Sequence, residues 1–300
     1  MSGYAIARFV SLHDGRQLRY LACGPRDGRL VLYLHGAIGS PHCTGPELDA
    51  VTHTLGIRYV MVSRPGFGGS DPAPGRSLLS FAADAAALAD ERGHDRFAVV
   101  GVSAGGPYAL ACAHELPERV AAAAVVSCMA PGGCSSELRL ASRLGLCALR
   151  ARPRLCTRAG DAVLGVARRH PRIVARALRR GAAPADHRQL LASDAGEGAA
   201  TRFLAAAEAG VGGMIDDYLL CSAPWGFEPT AVRGLVHLWH GAQDPLVPVD
   251  HAMHLAAALP RVQVALHPDE GHFFYRRRMR EVLGDLVAAC RSAEPVASAP

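Results

Sequence analysis

An α/β fold built on a mostly parallel central sheet is what three features of this 300-residue chain predict. Short apolar, partly β-branched runs alternate with Ala-rich helical stretches in the first and last parts of the chain. That alternation implies parallel strands with helices on both faces. One such run, at 96–100, is followed at once by Gly101-Val102-Ser103-Ala104-Gly105-Gly106 and then by a helical stretch at 107–116. Between 131 and 225 the strand runs stop, and Ala, Leu and Arg broken by Gly and Pro take over, so a helical segment interrupts the alternation.

Residues 8–12 and 17–22 flank Asp14-Gly15, a turn pair suited to the tip of an antiparallel hairpin. A buried strand at 30–34 runs into His35-Gly36-Ala37-Ile38-Gly39-Ser40, and another at 57–62 precedes Arg64-Pro65-Gly66-Phe67-Gly68-Gly69-Ser70. Residues 80–92 have helical composition with Ser80 in the N-cap position. The run at 120–127 reads as a further strand, although its alanines also suit a helix. After the helical segment, strands at 234–239 and 262–266 and a helix at 279–291 complete the alternation, and 292–300 reads as a frayed tail. The chain divides into a core of residues 1–130 and 226–300 and an inserted segment of 131–225. An insertion at the carboxyl edge of an open α/β sheet lies where such sheets bind ligands, so the segment is expected to be a cap.

Half of the residues are hydrophobic and a fifth charged, the balance of an ordinary globular protein. Residues 1–10 carry Arg8 and no long apolar run, and no stretch of 18 apolar residues occurs. A soluble, cytoplasmic protein with no membrane partner is expected. Nine cysteines (23, 43, 112, 128, 134, 147, 156, 221 and 290) are odd in number and scattered, which suits reduced thiols used as small hydrophobes. Every basic residue is Arg, and twelve of them fall between Arg139 and Arg180 with a single acid, Asp161. Such a run is a solvated helical face, or an entrance field for an anionic substrate or an acidic carrier. No recognition motif or interleaved aromatics accompany it, so nucleic acid is not an expected partner. The patterns specify no oligomeric state.

A strand, a Gly-x-Ser-x-Gly turn and a helix together form a nucleophile elbow: the turn forces the serine into a strained conformation beside a helix N-terminus. Ser103 is therefore the candidate nucleophile. His272, in Asp269-Glu270-Gly271-His272-Phe273-Phe274 after the last strand, is the candidate base among fourteen histidines. Asp244, in His240-Gly241-Ala242-Gln243-Asp244-Pro245 after the preceding strand, is the candidate orienting acid, ahead of Asp250, Asp269 and Glu270. The backbone amides of Ala104 and Ala37 are the candidate oxyanion donors, each worth about 3 kcal/mol of transition-state stabilisation. His35 is expected to shape its loop, and His251 and His254 to lie on the surface of a helix. His237 and His240 straddle a strand end without nearby carboxylates other than Asp244, so no metal site is expected. Among Trp225, Phe227, Tyr108, Phe273 and Phe274, the residues picked for an acyl pocket are Trp225 and Phe273.

These segments resemble the α/β-hydrolase superfamily over nearly the whole chain: His-Gly at 35–36, Arg-Pro-Gly-Phe-Gly-Gly-Ser at 64–70, the elbow at 101–105, His-Gly-x-x-Asp at 240–244 and Gly-His at 271–272. The resemblance implies an α/β-hydrolase fold with an inserted helical cap, with Ser103, Asp244 and His272 as a triad and Ala37 and Ala104 as oxyanion donors. It implies a cofactor-independent serine hydrolase taking a small acyl substrate such as a carboxylic ester. Carbon–carbon bond hydrolases, lactonases, amidases, peptidases and thioesterases share that site, and a non-catalytic small-molecule receptor shares the fold. Two residues depart from common patterns in such proteins. Val102 stands where His or Asn often precedes the nucleophile, and Ser rather than Asp at 103 disfavours dehalogenase and epoxide-hydrolase chemistry.

Overall fold

A computed structural model of the chain describes residues 7–37, 39, 46–133, 140–191 and 195–292. Its first two strands, β1 (Arg8–Ser11) and β2 (Gln17–Cys23), pair antiparallel as the hairpin around Gly15, whose φ of 85° is the left-handed value such a turn needs. The remaining strands are β3 (Arg29–Leu34), β4 (Ile57–Val62), β5 (Phe97–Val102), β6 (Val120–Val126), β7 (Val236–Gly241) and β8 (Val262–His267). Eight strands form one sheet in the order β1-β2-β4-β3-β5-β6-β7-β8, antiparallel at β1/β2 and β2/β4 and parallel elsewhere.

Strands β4, β5 and β7 are buried at every residue, as expected of strands covered on both faces. On one face pack α2 (Phe81–Glu91), α3 (Gly105–Glu115) and α10 (Val249–Ala258), through Phe81, Leu88, Tyr108, Leu110 and Leu255. On the other pack α1 (Pro46–Leu55) and α11 (Tyr275–Ser292), through Leu48, Val51, Leu283 and Leu286. The alanine-rich run at 120–126 is a strand: its small side chains let α3 and α11 sit close on opposite faces of β6.

Some local expectations are corrected. Ser80 precedes α2 but does not cap it: its backbone is already helical (φ −61°) and its hydroxyl donates to the Ser77 carbonyl instead. Helix α11 begins at Tyr275 rather than 279, because Phe273 and Phe274 carbonyls already accept amides from Arg276 and Arg277. His251 is buried, not superficial: its Nδ1 accepts the Ala130 amide at 2.9 Å. Cys23, Cys112, Cys128, Cys147, Cys156 and Cys221 are free thiols, and burial lifts Cys23 to about 11 and Cys112 to about 12, so both are inert fillers. Cys43 and Cys134 lie outside the described residues.

Between β6 and β7 run α4 (Leu140–Ala151), α5 (Pro153–Arg169), α6 (Pro171–Gly181), α7 (Pro184–Leu191), α8 (Ala195–Ala206) and α9 (Gly212–Cys221). They carry a small cluster of their own, Leu164, Ala206, Ala207 and Met214, closed over Phe67 of the loop after β4. No described helix is long and apolar enough to cross a membrane.

Candidate active site

Strand β5 ends in Val102, and Ser103 follows with φ 53°, a left-handed backbone that costs a non-glycine residue about 1–2 kcal/mol. Its amide donates to Val126 O at 2.8 Å and its carbonyl accepts from Gly106 at 2.9 Å, so the strain is held by flanking structure. A Cβ at Gly101 would collide with the Gly105 carbonyl, and one at Gly105 with the Leu34 carbonyl. Only glycine at both positions allows so sharp a strand-to-helix turn.

The loop after β3 lies against this elbow, since a Cβ at Gly36 would sit 3.3 Å from Ser103 Cβ and 3.8 Å from its Oγ. Ala37 follows at once, and Ala104 stands at the N-cap of α3. Neither backbone amide donates to another described residue, which leaves both available to an incoming anion at the positive end of a helix. His35 shapes the loop: its Nδ1–H donates to the Gly36 carbonyl at 2.8 Å and its Nε2 accepts the Arg64 amide at 3.3 Å. Burial pushes its pKa down to about 3, so it is a neutral spacer.

Loops after β7 and β8 bring Asp244 and His272 together, with His272 Nδ1 donating to Asp244 Oδ2 at 2.7 Å. The other carboxylate oxygen accepts the Leu246 and Val247 amides, both at 2.9 Å, which fixes the carboxylate plane. Burial pushes the Asp244 carboxyl up, but the imidazole and these hydrogen bonds outweigh it and hold the pKa below the usual range. Burial pushes His272 down, and the Asp244 charge and hydrogen bond outweigh that, so its pKa ends above the ordinary histidine value. The tautomer set by Asp244 leaves Nε2 as the free nitrogen. Ser127, itself left-handed at φ 47°, donates its hydroxyl to the His272 carbonyl at 3.3 Å. Val126 holds the Ser103 amide, so one strand end touches both the serine and histidine segments. Phe273 stacks edge-on against His272, with centroids 5.1 Å apart. Trp225 is placed differently: it is 3% exposed, its Nε1 donates to Cys221 O, and its ring packs on Phe227 within the core. His240, read in sequence against a metal pair, gives its Nε2 to the Val247 carbonyl.

Two acids that no sequence pattern tied to this site complete it. Asp186, in the first turn of α7, is fully buried and accepts the His272 amide at 2.9 Å and the Phe273 amide at 2.8 Å. Nothing in the sequence links residue 186 to 272; only the close approach of α7 to Gly271 does. Asp217 on α9 accepts from Arg64 (2.9 and 2.5 Å), Arg76 (2.9 Å) and the Tyr108 hydroxyl (2.7 Å), while Arg64 also donates to the His35 carbonyl. An acid pair inside the apolar run of α9, Met214-Ile215-Asp216-Asp217-Tyr218-Leu219, was the available signal for a buried carboxylate.

Asp186→Asn tests the first of these. An amide cannot accept two N–H groups through one carboxyl-like edge, so a stability loss of about 1.5–3 kcal/mol is expected. Removing the charge also lowers the His272 pKa, since Asp186 is one of the groups that raise it. The acid limb of kcat/KM should therefore move to lower pH. A variant that melts earlier with an unmoved acid limb would show Asp186 to be structural only.

A family model described as alpha/beta hydrolase fold matches residues 29–276. A Streptomyces lividans protein named non-heme chloroperoxidase is 34% identical over 125 residues, 41% of this chain and 45% of that protein, so the match spans under half of the relative's length. A hydrolase from Pseudomonas aeruginosa PA01 superposes with TM-score 0.72 at 17% identity, covering 96% of this chain and 99% of the other. The enol-lactonase from Burkholderia xenovorans LB400 does so with TM-score 0.70 at 16% identity, covering 95% and 100%. With the family match spanning most of the chain, and with these neighbours sharing its architecture, the protein belongs to the alpha/beta hydrolase fold family.

Proposed function

We propose that the protein is a serine hydrolase acting on carboxylic esters or related acyl compounds through Ser103, His272 and Asp244. The observation that carries this reading is the 2.7 Å Asp244–His272 hydrogen bond at the sheet edge where Ser103 is held left-handed. Ser103 Oγ attacks the acyl carbon as His272 Nε2 takes its proton. The negative charge formed on the carbonyl oxygen is met by the Ala37 and Ala104 amides. Collapse expels the leaving group, which takes the proton from His272, and water activated by the same nitrogen releases the acid. These steps use only side chains, backbone and water. Helices α4–α9 act as the cap that selects the acyl group, which is supported by the reach of Asp186 from α7 to the His272 segment. The free thiols of Cys23, Cys112, Cys128, Cys147, Cys156 and Cys221 support a reducing, cytoplasmic setting.

A fluorophosphonate probe should label Ser103 stoichiometrically in the folded protein, and esters of graded acyl length should be turned over. Labelling should fade as pH falls through the His272 pKa, because the protonated ring cannot accept the serine proton. Folded protein that resists labelling at every pH would point instead to a small-molecule receptor on the same fold. The likeness to an enol-lactonase adds lactones to the substrate panel, and the name of the Streptomyces relative adds hydrogen peroxide as an acceptor in place of water at the acyl-enzyme.

A further inference from the structure

Helix α5 has two apolar faces where an ordinary surface helix has one. Its inner side is already used. Leu164 is 3% exposed, Gly160 faces Val211, Asp161 accepts the Val211 amide, and Arg168 donates to the Ala207 and Glu208 carbonyls. The outer side carries Leu155, Ala159, Ala162, Val163 and Val166, spaced i, i+4, i+7, i+8 and i+11 along one stripe, all exposed. Leu155 is 62% exposed, Val163 69% and Val166 56%, and Ile173 on the adjoining α6 is 59% exposed. Four of the nine large exposed hydrophobics among the described residues thus fall within residues 155–173.

The rim of this stripe is basic. Arg158 and Arg169 lie beside it on α5, and Arg176 and Arg180 stand three and seven residues after Ile173 on the same side of α6. All four are exposed and have no acidic partner among the described residues. Arg150 and Arg168, from the same basic run, are by contrast spent on backbone carbonyls.

We propose that this outer face of α5 and α6 is a docking surface for an anionic lipid bilayer. Exposed aliphatic side chains on this pair of helices can enter the headgroup boundary while flanking arginines reach the phosphates, the arrangement of helices that lie in a membrane interface. A second copy of the chain fits less well, since it would set arginine rows against each other while Asp161, the one acid of the run, is engaged by the Val211 amide. The sequence-based expectation of no membrane partner rested on the lack of a spanning segment, and a peripheral face needs none. Together with the acyl-hydrolase reading, on which this last step rests, docking would hold the enzyme where amphiphilic acyl esters concentrate.

The test is vesicle flotation with Ser103→Ala protein, which reads binding without hydrolysis and so succeeds or fails independently of the catalytic assignment. Protein should float with vesicles of phosphatidylglycerol and phosphatidylcholine but not with phosphatidylcholine alone, and 0.5 M salt should weaken partitioning roughly tenfold or more. Leu155→Ser, Val163→Ser and Val166→Ser combined should weaken it about tenfold with the melting temperature retained, as each of these side chains is more than half exposed. Should that triple variant misfold, Arg158→Gln with Arg169→Gln and Arg176→Gln gives the same reading. Absence of flotation on anionic vesicles overturns the proposal, as does binding indifferent to the serine triple. A dimer in solution that the serine triple dissociates also overturns it, assigning the face to a second copy.

Discussion

Ser103→Ala should lower turnover of any accepted ester by about four to six orders of magnitude, with substrate affinity little changed. The size of the loss follows from the division of labour in the site. The oxyanion amides of Ala37 and Ala104 and the binding surface survive the substitution, and they sustain roughly 10³–10⁴-fold of residual acceleration over water. Stability should hardly move, because alanine and serine bear the same left-handed strain at φ 53°. Ser103→Gly separates the two properties. It is equally inactive, but glycine adopts that backbone without a Cβ penalty, so it should be more stable than Ser103→Ala by about 1 kcal/mol. Single-turnover kinetics with an activated ester and thermal melts of both variants decide the matter. Near-native turnover by Ser103→Ala would remove the serine from the mechanism, and equal melting of the two variants would deny that the elbow stores strain.

The parts of this site that sequence exposed are those where a local pattern forces a local geometry. Gly101 and Gly105 around Ser103 are legible because a tight turn between a buried strand and a helix has few solutions. Asp244 and His272 are legible as polar residues directly after buried strands, where a parallel sheet collects its loop residues at one edge. The hairpin at Gly15 follows from Asp-Gly between alternating residues. The illegible parts depend on contacts distant in sequence. Asp186 meets His272 across 86 positions, and Asp217 meets Arg64 across 153. Trp225 illustrates the converse: an aromatic near a segment boundary suited a pocket wall, but the nearby Cys221 carbonyl satisfies its indole N–H and its ring fills the core. His251 looked superficial on an amphipathic helix, and the unpaired Ala130 amide after β6 draws it inward.

Asp217→Ala is expected to cost about 3–5 kcal/mol, the largest stability loss of any single side chain discussed. Arg64 is wholly buried and Arg76 nearly so, and removal of their shared carboxylate leaves Arg64 without a counterion, Arg76 with only the 3.5 Å contact to Asp216, and the Tyr108 hydroxyl without its acceptor. Burial pushes the Asp217 carboxyl up, but Arg64 and Arg76 outweigh it and hold its pKa below the ordinary value. Its contribution to stability is therefore complete above the usual aspartate range and is lost only as pH falls through the depressed folded pKa. The deficit of Asp217→Ala, measured by denaturant titration, should be constant near neutrality and shrink only in strong acid. Function should suffer separately, since Arg64 also donates to the carbonyl of His35, one step before the loop that carries Ala37. Arg64→Met and Arg76→Met combined with Asp217→Leu distinguish the two roles. Replacing a buried ionic cluster with apolar side chains is often close to neutral for folding, so this triple variant should recover much of the stability. Turnover should stay low, because no guanidinium remains to hold the His35 carbonyl and aim the Ala37 amide. Recovery of both stability and turnover would mean that the loop holds its shape without Arg64, and that the buried ion pair serves only to fasten α9 to the core.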